Sequence, residues 1–232
     1  HHVIESDLKT PPPYLSLKVR STTKDAIGIF HKEMAQAMVL IESGDVEYDE
    51  ALVPDAEVFN EYFSGGMSGL VFQEIREARA LAYAVGGNYS FGSRLGDPNV
   101  AWGGMGTQAD KTTEATQAFI DLYSEMPVIQ ERFDAAKSAL VNTYKNSRTG
   151  FRDVLGAIQS WERLGLDPDP RERRFEAIKQ ANLSTLTKFH SEHIKPRPRI
   201  ISIVGDTTKI DMDRLSEIAK PEFVTFEDIF VF

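Results

Sequence analysis

The chain has no cysteine among its 232 residues. Disulfides, thiolate catalysis and zinc–thiolate sites are therefore excluded, while the compartment stays open. Basic residues are in the minority, with 26 Lys and Arg against 35 Asp and Glu and a net charge of −9. A nucleic-acid or anionic-membrane partner would need a basic face, so neither is expected. No apolar run approaches the roughly 18 residues of a membrane span. Neither GxGxxG nor a P-loop pattern occurs, which removes the usual nucleotide sites. No signal peptide is visible. The chain opens HHVIESDLKTPPP without an initiator Met, and His1 and His2 read as a purification-tag remnant. It therefore reads as a piece of a longer protein, and a missing leader says nothing about localisation.

Histidine is also scarce: His1, His2, His31, His190 and His193. The tempting motif is FHSEH, Phe189 to His193. A helix-borne zinc site of the HExxH or HxxEH type needs two His on one helical face with a Glu as base. Here the two His are three apart, and Phe189 stands where HxxEH needs its first His. The segment precedes Pro196 and reads as a helix end with solvated polar residues. His31 and Glu33 sit at what reads as a hairpin tip, with no third ligand in view. No catalytic metal is expected on this chain.

What remains is an ordinary globular composition, 41% hydrophobic and 26% charged, in a length that can bury a full core. Residues 1–24 read as tag remnant and interdomain linker, stiffened by Pro11, Pro12 and Pro13. Residues 25–232 read as a single domain ending in the apolar tail FEDIFVF. Strands are expected over Ala26 to Phe30, Ala35 to Ile41, Leu81 to Phe91, Asn99 to Thr107 and Arg199 to Val204. A helix over Pro54 to Phe63 has Pro54 in its first turn, acids Asp55 and Glu57 near its positive end, and a stripe of Val58, Phe59, Tyr62 and Phe63. Ser64-Gly65-Gly66 ends it, and Ser68 is placed to cap a second helix through LVFQEIREAR.

Asp110 is placed to cap a helix carrying Ala115, Phe119, Leu122 and Met126 on one face. Pro127 opens the next, with Ile129, Phe133, Ala136, Leu140 and Tyr144 sharing a face. Further helices are expected near 151–165, 170–181 and 183–194, the first two separated by the DPDP loop, and a short one over Met212 to Ile218. Strands separated by clusters of helices favour α+β over a doubly wound sheet. The expected fold is a mainly antiparallel sheet with helices layered on one face. Gly86-Gly87 and Gly103-Gly104 with Gly106 lie inside strands. They mark either a close approach under a helix or an edge where an extended peptide lies against the backbone.

The richest segment is FSGGMSGLVFQEIREARALAY, Phe63 to Tyr83. Arg76 stands seven residues before Tyr83, between a Gly-rich turn and a strand. A cation and a phenol at one junction suit gripping a peptide carbonyl and its developing oxyanion. The competing local reading is plainer. Glu74 and Glu77 flank Arg76, and exposed helix ion pairs contribute only about 0.3–0.5 kcal/mol. By local physics Arg76 is a solvated helix residue near a core tyrosine.

GGMSGLVFQEIREARALAYAV resembles the carboxy-terminal type of domain in the pitrilysin/insulinase family of zinc metallopeptidases, which includes the mitochondrial processing peptidases. Supporting matches are GMGTQADKT (Gly104 to Thr112), FDAAKSALVNTY (Phe133 to Tyr144), IISIVGD (Ile200 to Asp206) and the apolar tail. The resemblance covers roughly residues 25–232, and its details are most similar to bacterial members of the Bacteroidetes type. It implies a pitrilysin-like α+β domain in the periplasm or cell envelope, with the cytoplasm as the alternative. It also implies that zinc is bound elsewhere, by HxxEH and a distant Glu in an amino-terminal domain of the same polypeptide or a partner subunit. A later domain faces that site across a closed chamber and supplies an Arg and a Tyr, which Arg76 and Tyr83 match in type and separation. The Tyr83 hydroxyl would donate to the oxyanion of the tetrahedral intermediate, and Arg76 would clamp a substrate carbonyl. The alternative is a non-catalytic structural or peptide-binding homologue of the same fold.

Overall fold

A computed structural model describes residues 22–167 and 169–229. The expected linker over residues 1–24 and the apolar tail therefore lie mostly or partly outside the described residues, as does Pro168 of the DPDP loop. Six strands form one mixed sheet in the order β3-β4-β2-β5-β1-β6. They are β1 (Ala26–His31), β2 (Gln36–Glu47), β3 (Ala82–Ser90), β4 (Pro98–Gln108), β5 (Ile200–Gly205) and β6 (Pro221–Phe223). Pairing is antiparallel for β2 with β4, β2 with β5 and β3 with β4, and parallel for β1 with β5 and β6. The α+β reading holds, with β1 and β6 supplying the parallel portion.

The strands bury alternate residues, as a sheet covered on one face must. On β2, Ala37, Val39 and Ile41 are buried while Met38 and Leu40 are 54% and 38% exposed. The covered face carries helices α1 (Val53–Ser64) and α2 (Thr112–Ser124), with α3 (Gln130–Asn146), α4 (Val154–Arg163), α5 (Arg171–Gln180), α6 (Leu183–Phe189), α7 (Met212–Ile218) and α8 (Phe226–Ile229) completing the chain. Phe59 and Phe63 of α1 stack with centroids 5.1 Å apart, and Phe63 meets Tyr123 of α2 at 5.3 Å. Such pairs contribute about 0.5–1.5 kcal/mol beyond the area they bury. Among the described residues no helix is long and apolar enough to cross a membrane.

Gly103 explains how α2 comes so close to the sheet. A Cβ there would lie 2.1 Å from Cζ of Phe119, so the ring rests directly on the strand backbone. The helix-approach reading thus applies to Gly103. At Gly104 the nearest atom to an added Cβ is Cζ3 of Trp102 at an ordinary 3.6 Å.

Several local expectations are corrected. The strands around His31 form no hairpin, because β5 lies between β1 and β2. His31 Nδ1 instead accepts from the Thr207 amide at 3.3 Å and lies 2.8 Å from the Thr207 hydroxyl. Ser68 caps no helix, since its hydroxyl donates backwards to the Gly65 carbonyl at 3.1 Å. Asp110 falls inside the 3₁₀ turn Ala109–Lys111, which runs straight into α2 without a side-chain cap. Ile129 is 45% exposed rather than part of the buried stripe of α3.

His190 and His193 are buried, not solvated, at 8% and 9% exposure. They lie on a π-helical extension of α6, His190–Ile194. His193 Nδ1 meets the Asp45 carboxylate at 2.7 Å, and the Tyr89 hydroxyl donates to the same oxygen at 2.6 Å. Arg197 pairs with the other oxygen of that carboxylate. This buried cluster joins β2, β3, the α6 extension and the approach to β5. It satisfies a charge that would otherwise be costly to bury.

Gly103→Ala should lower the unfolding free energy by about 1–3 kcal/mol through the clash with Phe119. Gly104→Ala should change it by less than about 1 kcal/mol. Urea unfolding of the two variants checks the contrast.

Candidate functional site

The Gly-rich turn and the junction that follows it are held by long-range hydrogen bonds. An added Cβ at Gly65 would sit 2.3 Å from the Glu61 carbonyl oxygen, and one at Gly69 2.7 Å from the Ser64 carbonyl carbon. The turn therefore needs glycine at both places. Arg132 Nη1 donates to the Ser68 carbonyl at 2.7 Å, and Gln73 Nε2 to the Met67 carbonyl at 2.6 Å. From this anchored turn the chain enters a π-helical segment, Phe72–Ala78, instead of a regular α-helix. Wide turns of this kind are frequent at functional sites. Ile75 faces inward and is fully buried, which fixes the rotation of the segment and leaves Arg76 partly exposed.

The segment ends on Ala80, with φ +49, a left-handed conformation normally given to glycine. The Ala80 amide donates to the Arg76 carbonyl at 3.1 Å and the Leu81 amide to the Ile75 carbonyl at 2.9 Å. Two residues from the matching GMGTQADKT segment then lock the junction from β4 and the turn after it. Thr107 Oγ1 donates to the Leu81 carbonyl at 2.6 Å, and Lys111 Nζ to the Ala80 carbonyl at 3.3 Å.

The register of β3 on β4 shifts between Ala82 and Ala84. This bulge adds one residue and turns it outward, and bulges re-aim side chains in this way. The residue is Tyr83, 75% exposed, so the core-tyrosine reading is corrected. The Arg76 guanidinium carbon lies 5.2 Å from the centroid of the Tyr83 ring and 4.6 Å from that of Phe72. Its contact with Glu77, at 3.5 Å between half-exposed groups, is a loose one and contributes little. The two residues singled out from the sequence are thus brought together. They border a shallow cleft of about 370 Å³ that also includes Gln36, Leu81, Gly106 and Gln108. The two glutamines were not anticipated, because their nearness depends on the pairing of β2 with β4.

Among the described residues no group of three His, Cys, Asp or Glu could hold a metal ion. His190 and His193 are engaged in packing: Nε2 of His190 donates to the Tyr123 carbonyl at 2.8 Å, and His193 serves Asp45. The described residues thus offer no set of ligands that fits zinc.

Fold and site together define a one-sided α+β domain that presents a cation and a phenol at a sheet edge. The chain belongs to the Peptidase M16 inactive domain family, whose model matches residues 4–140. It is a carboxy-terminal-type M16 domain, as the residues around Arg76 and Tyr83 led us to expect.

Solved structures share the fold at low identity. The peptidase M16 inactive domain from Pseudomonas fluorescens is 17% identical with a TM-score of 0.67, the match covering 82% of this chain and 45% of that one. A protease from Helicobacter pylori is 15% identical with a TM-score of 0.68, covering 86% of this chain and 48% of that one. A chain of complex III2 from Candida albicans, with Inz-5 bound, is 12% identical with a TM-score of 0.61, covering 85% and 50%. The chain spans about half the length of these structures. No curated protein matches it significantly.

Two predictions follow from the local physics. A left-handed alanine costs roughly 1–2 kcal/mol that glycine does not incur. Ala80→Gly should therefore raise the unfolding free energy by up to about 1 kcal/mol after its own entropy cost, as thermal melts can show. His190 is held below its ordinary pKa of 6.5, chiefly by burial. A buried neutral His binds fewer protons than the unfolded chain, so its contribution is present above about pH 6.5 and lost below it. His190→Gln should weaken the loss of stability between about pH 7 and 5, read as the difference between variant and parent in urea titrations.

Proposed function

We propose that this chain is the substrate-gripping domain of a zinc metalloendopeptidase that cleaves peptides inside a closed chamber. The carrying observation is the exposed Arg76–Tyr83 pair on a locked junction, 5.2 Å apart. A core or packing pair would be covered; this one faces the cleft and leaves most of the Tyr83 ring accessible.

The chemistry follows from the groups themselves. The Tyr83 hydroxyl donates a hydrogen bond to the oxyanion that develops when a peptide carbonyl becomes tetrahedral. A donor held in place stabilises that charge without having to reorganise. Arg76 carries a planar fork of donors and binds a neighbouring substrate carbonyl, keeping the peptide in register. Phe72 and Tyr83 flank the guanidinium and limit its motion. Zinc, its bound water and the general base belong to another domain of the same polypeptide or to a partner subunit. The open face of the sheet, with Met38 and Leu40, forms part of the chamber wall.

In the intact enzyme Tyr83→Phe should lower kcat by about 10²-fold or more with little change in KM, the pattern of a transition-state donor. Unchanged turnover would remove Tyr83 from the mechanism and favour a non-catalytic homologue of this fold.

A further inference from the structure

The outer edge of β3 is unevenly occupied. β3 ends the sheet, so half of its backbone groups face away from β4. At the far end three of these groups are bonded by α1. The Asn60 amide accepts from the Tyr89 amide at 2.7 Å and donates to the Tyr89 carbonyl at 3.0 Å. That is the two-bond exchange a neighbouring strand would make. Ser64 Oγ accepts from the Gly87 amide at 3.1 Å. By the two-residue repeat of a strand, Val85 points its N–H and C=O the same way as Gly87 and Tyr89. Among the described residues nothing bonds these two groups. Val85 is also the first regular edge position after the bulge that turns Tyr83 outward.

We infer that an extended peptide adds to β3 at this free position, exchanging two main-chain hydrogen bonds with Val85 and running on to Tyr83 and Arg76. The inference rests on the peptide-gripping reading of those two residues and supplies the part of the ligand they hold. The length of the free edge selects the occupant. Ser64 and Asn60 close it from Gly87 onward, and the bulge interrupts it before Ala84. One residue pair suits a flexible segment, whereas the edge of a second folded sheet would collide with α1. Main-chain pairing also makes the contact tolerant of peptide sequence.

The test uses the 232-residue chain, isotope-labelled for amide exchange, and an end-blocked decapeptide of threonine, alanine and serine. The expected result is that the Val85 amide exchanges about tenfold more slowly when peptide exceeds its dissociation constant about tenfold. The same peptide N-methylated at every residue should give no protection. Val85→Pro removes the outward N–H together with the half-buried valine side chain and is tolerated on edge strands. It leaves no amide to follow at position 85, so it is read at the neighbouring Ala84 and Gly86 amides. Their peptide-induced chemical-shift changes should be lost in a protein with the parent's circular dichroism. If that variant does not fold, the two peptides alone decide. Equal protection by the methylated peptide, or no protection at millimolar peptide, overturns the inference. Protection at Val85 with unchanged turnover in Tyr83→Phe would keep the strand site and discard the oxyanion role. Lost turnover without protection would do the reverse.

Discussion

The ring of Phe119 occupies the space that a side chain at residue 103 would fill, 2.1 Å from where its Cβ would stand. This contact sets how near α2 lies to the sheet, and much of the architecture depends on it. With α2 seated on β4 and Phe63 against Tyr123, the aromatic core closes on one face of the sheet alone. Burying one face completely satisfies the hydrophobic requirement of a domain this size. The opposite face is left with exposed Met38 and Leu40, and the edge of β3 stays accessible beside it.

The junction after Ala78 depends on the same packing. Ile75 is buried beneath the π-helical segment, while Thr107 and Lys111 hold the two carbonyls beyond it. Arg76 and Tyr83 are consequently presented from opposite ends of a rigid hinge point. A left-handed alanine at its apex carries strain that the surrounding bonds maintain, as is common where geometry serves function. The result is a neighbouring guanidinium and phenol at a sheet edge, with no metal-binding cluster among the described residues. The α1 residues Asn60 and Ser64 contribute by closing the rest of the edge, which guards it against pairing with other chains.

Local pattern carried much of this. The helix over Met212–Ile218 and the stripe of Phe59, Tyr62 and Phe63 were legible because periodicity is a local property. The Arg76 and Tyr83 pairing was legible through its spacing and flanking glycines. What escaped depends on partners distant in the chain. β5 enters between β1 and β2 from more than 150 residues away, so no hairpin forms at His31. The strand Pro221–Phe223 is three residues long and exists only by pairing with β1. Tyr83 is exposed because of a bulge defined by its register on β4. His190 and His193 are buried because Tyr123 and Asp45 meet them across the core. In each case the decisive contact leaves no periodic trace in the segment itself.

The central claim is that Arg76 and Tyr83 touch the peptide. A photo-reactive benzophenone side chain placed at position 83 of the intact polypeptide tests it directly, with irradiation in the presence of a cleavable peptide and mapping of the adduct by mass spectrometry. The account predicts crosslinks to peptide residues flanking the scissile bond. Crosslinks confined to another part of the same polypeptide, with none to the peptide, would contradict it.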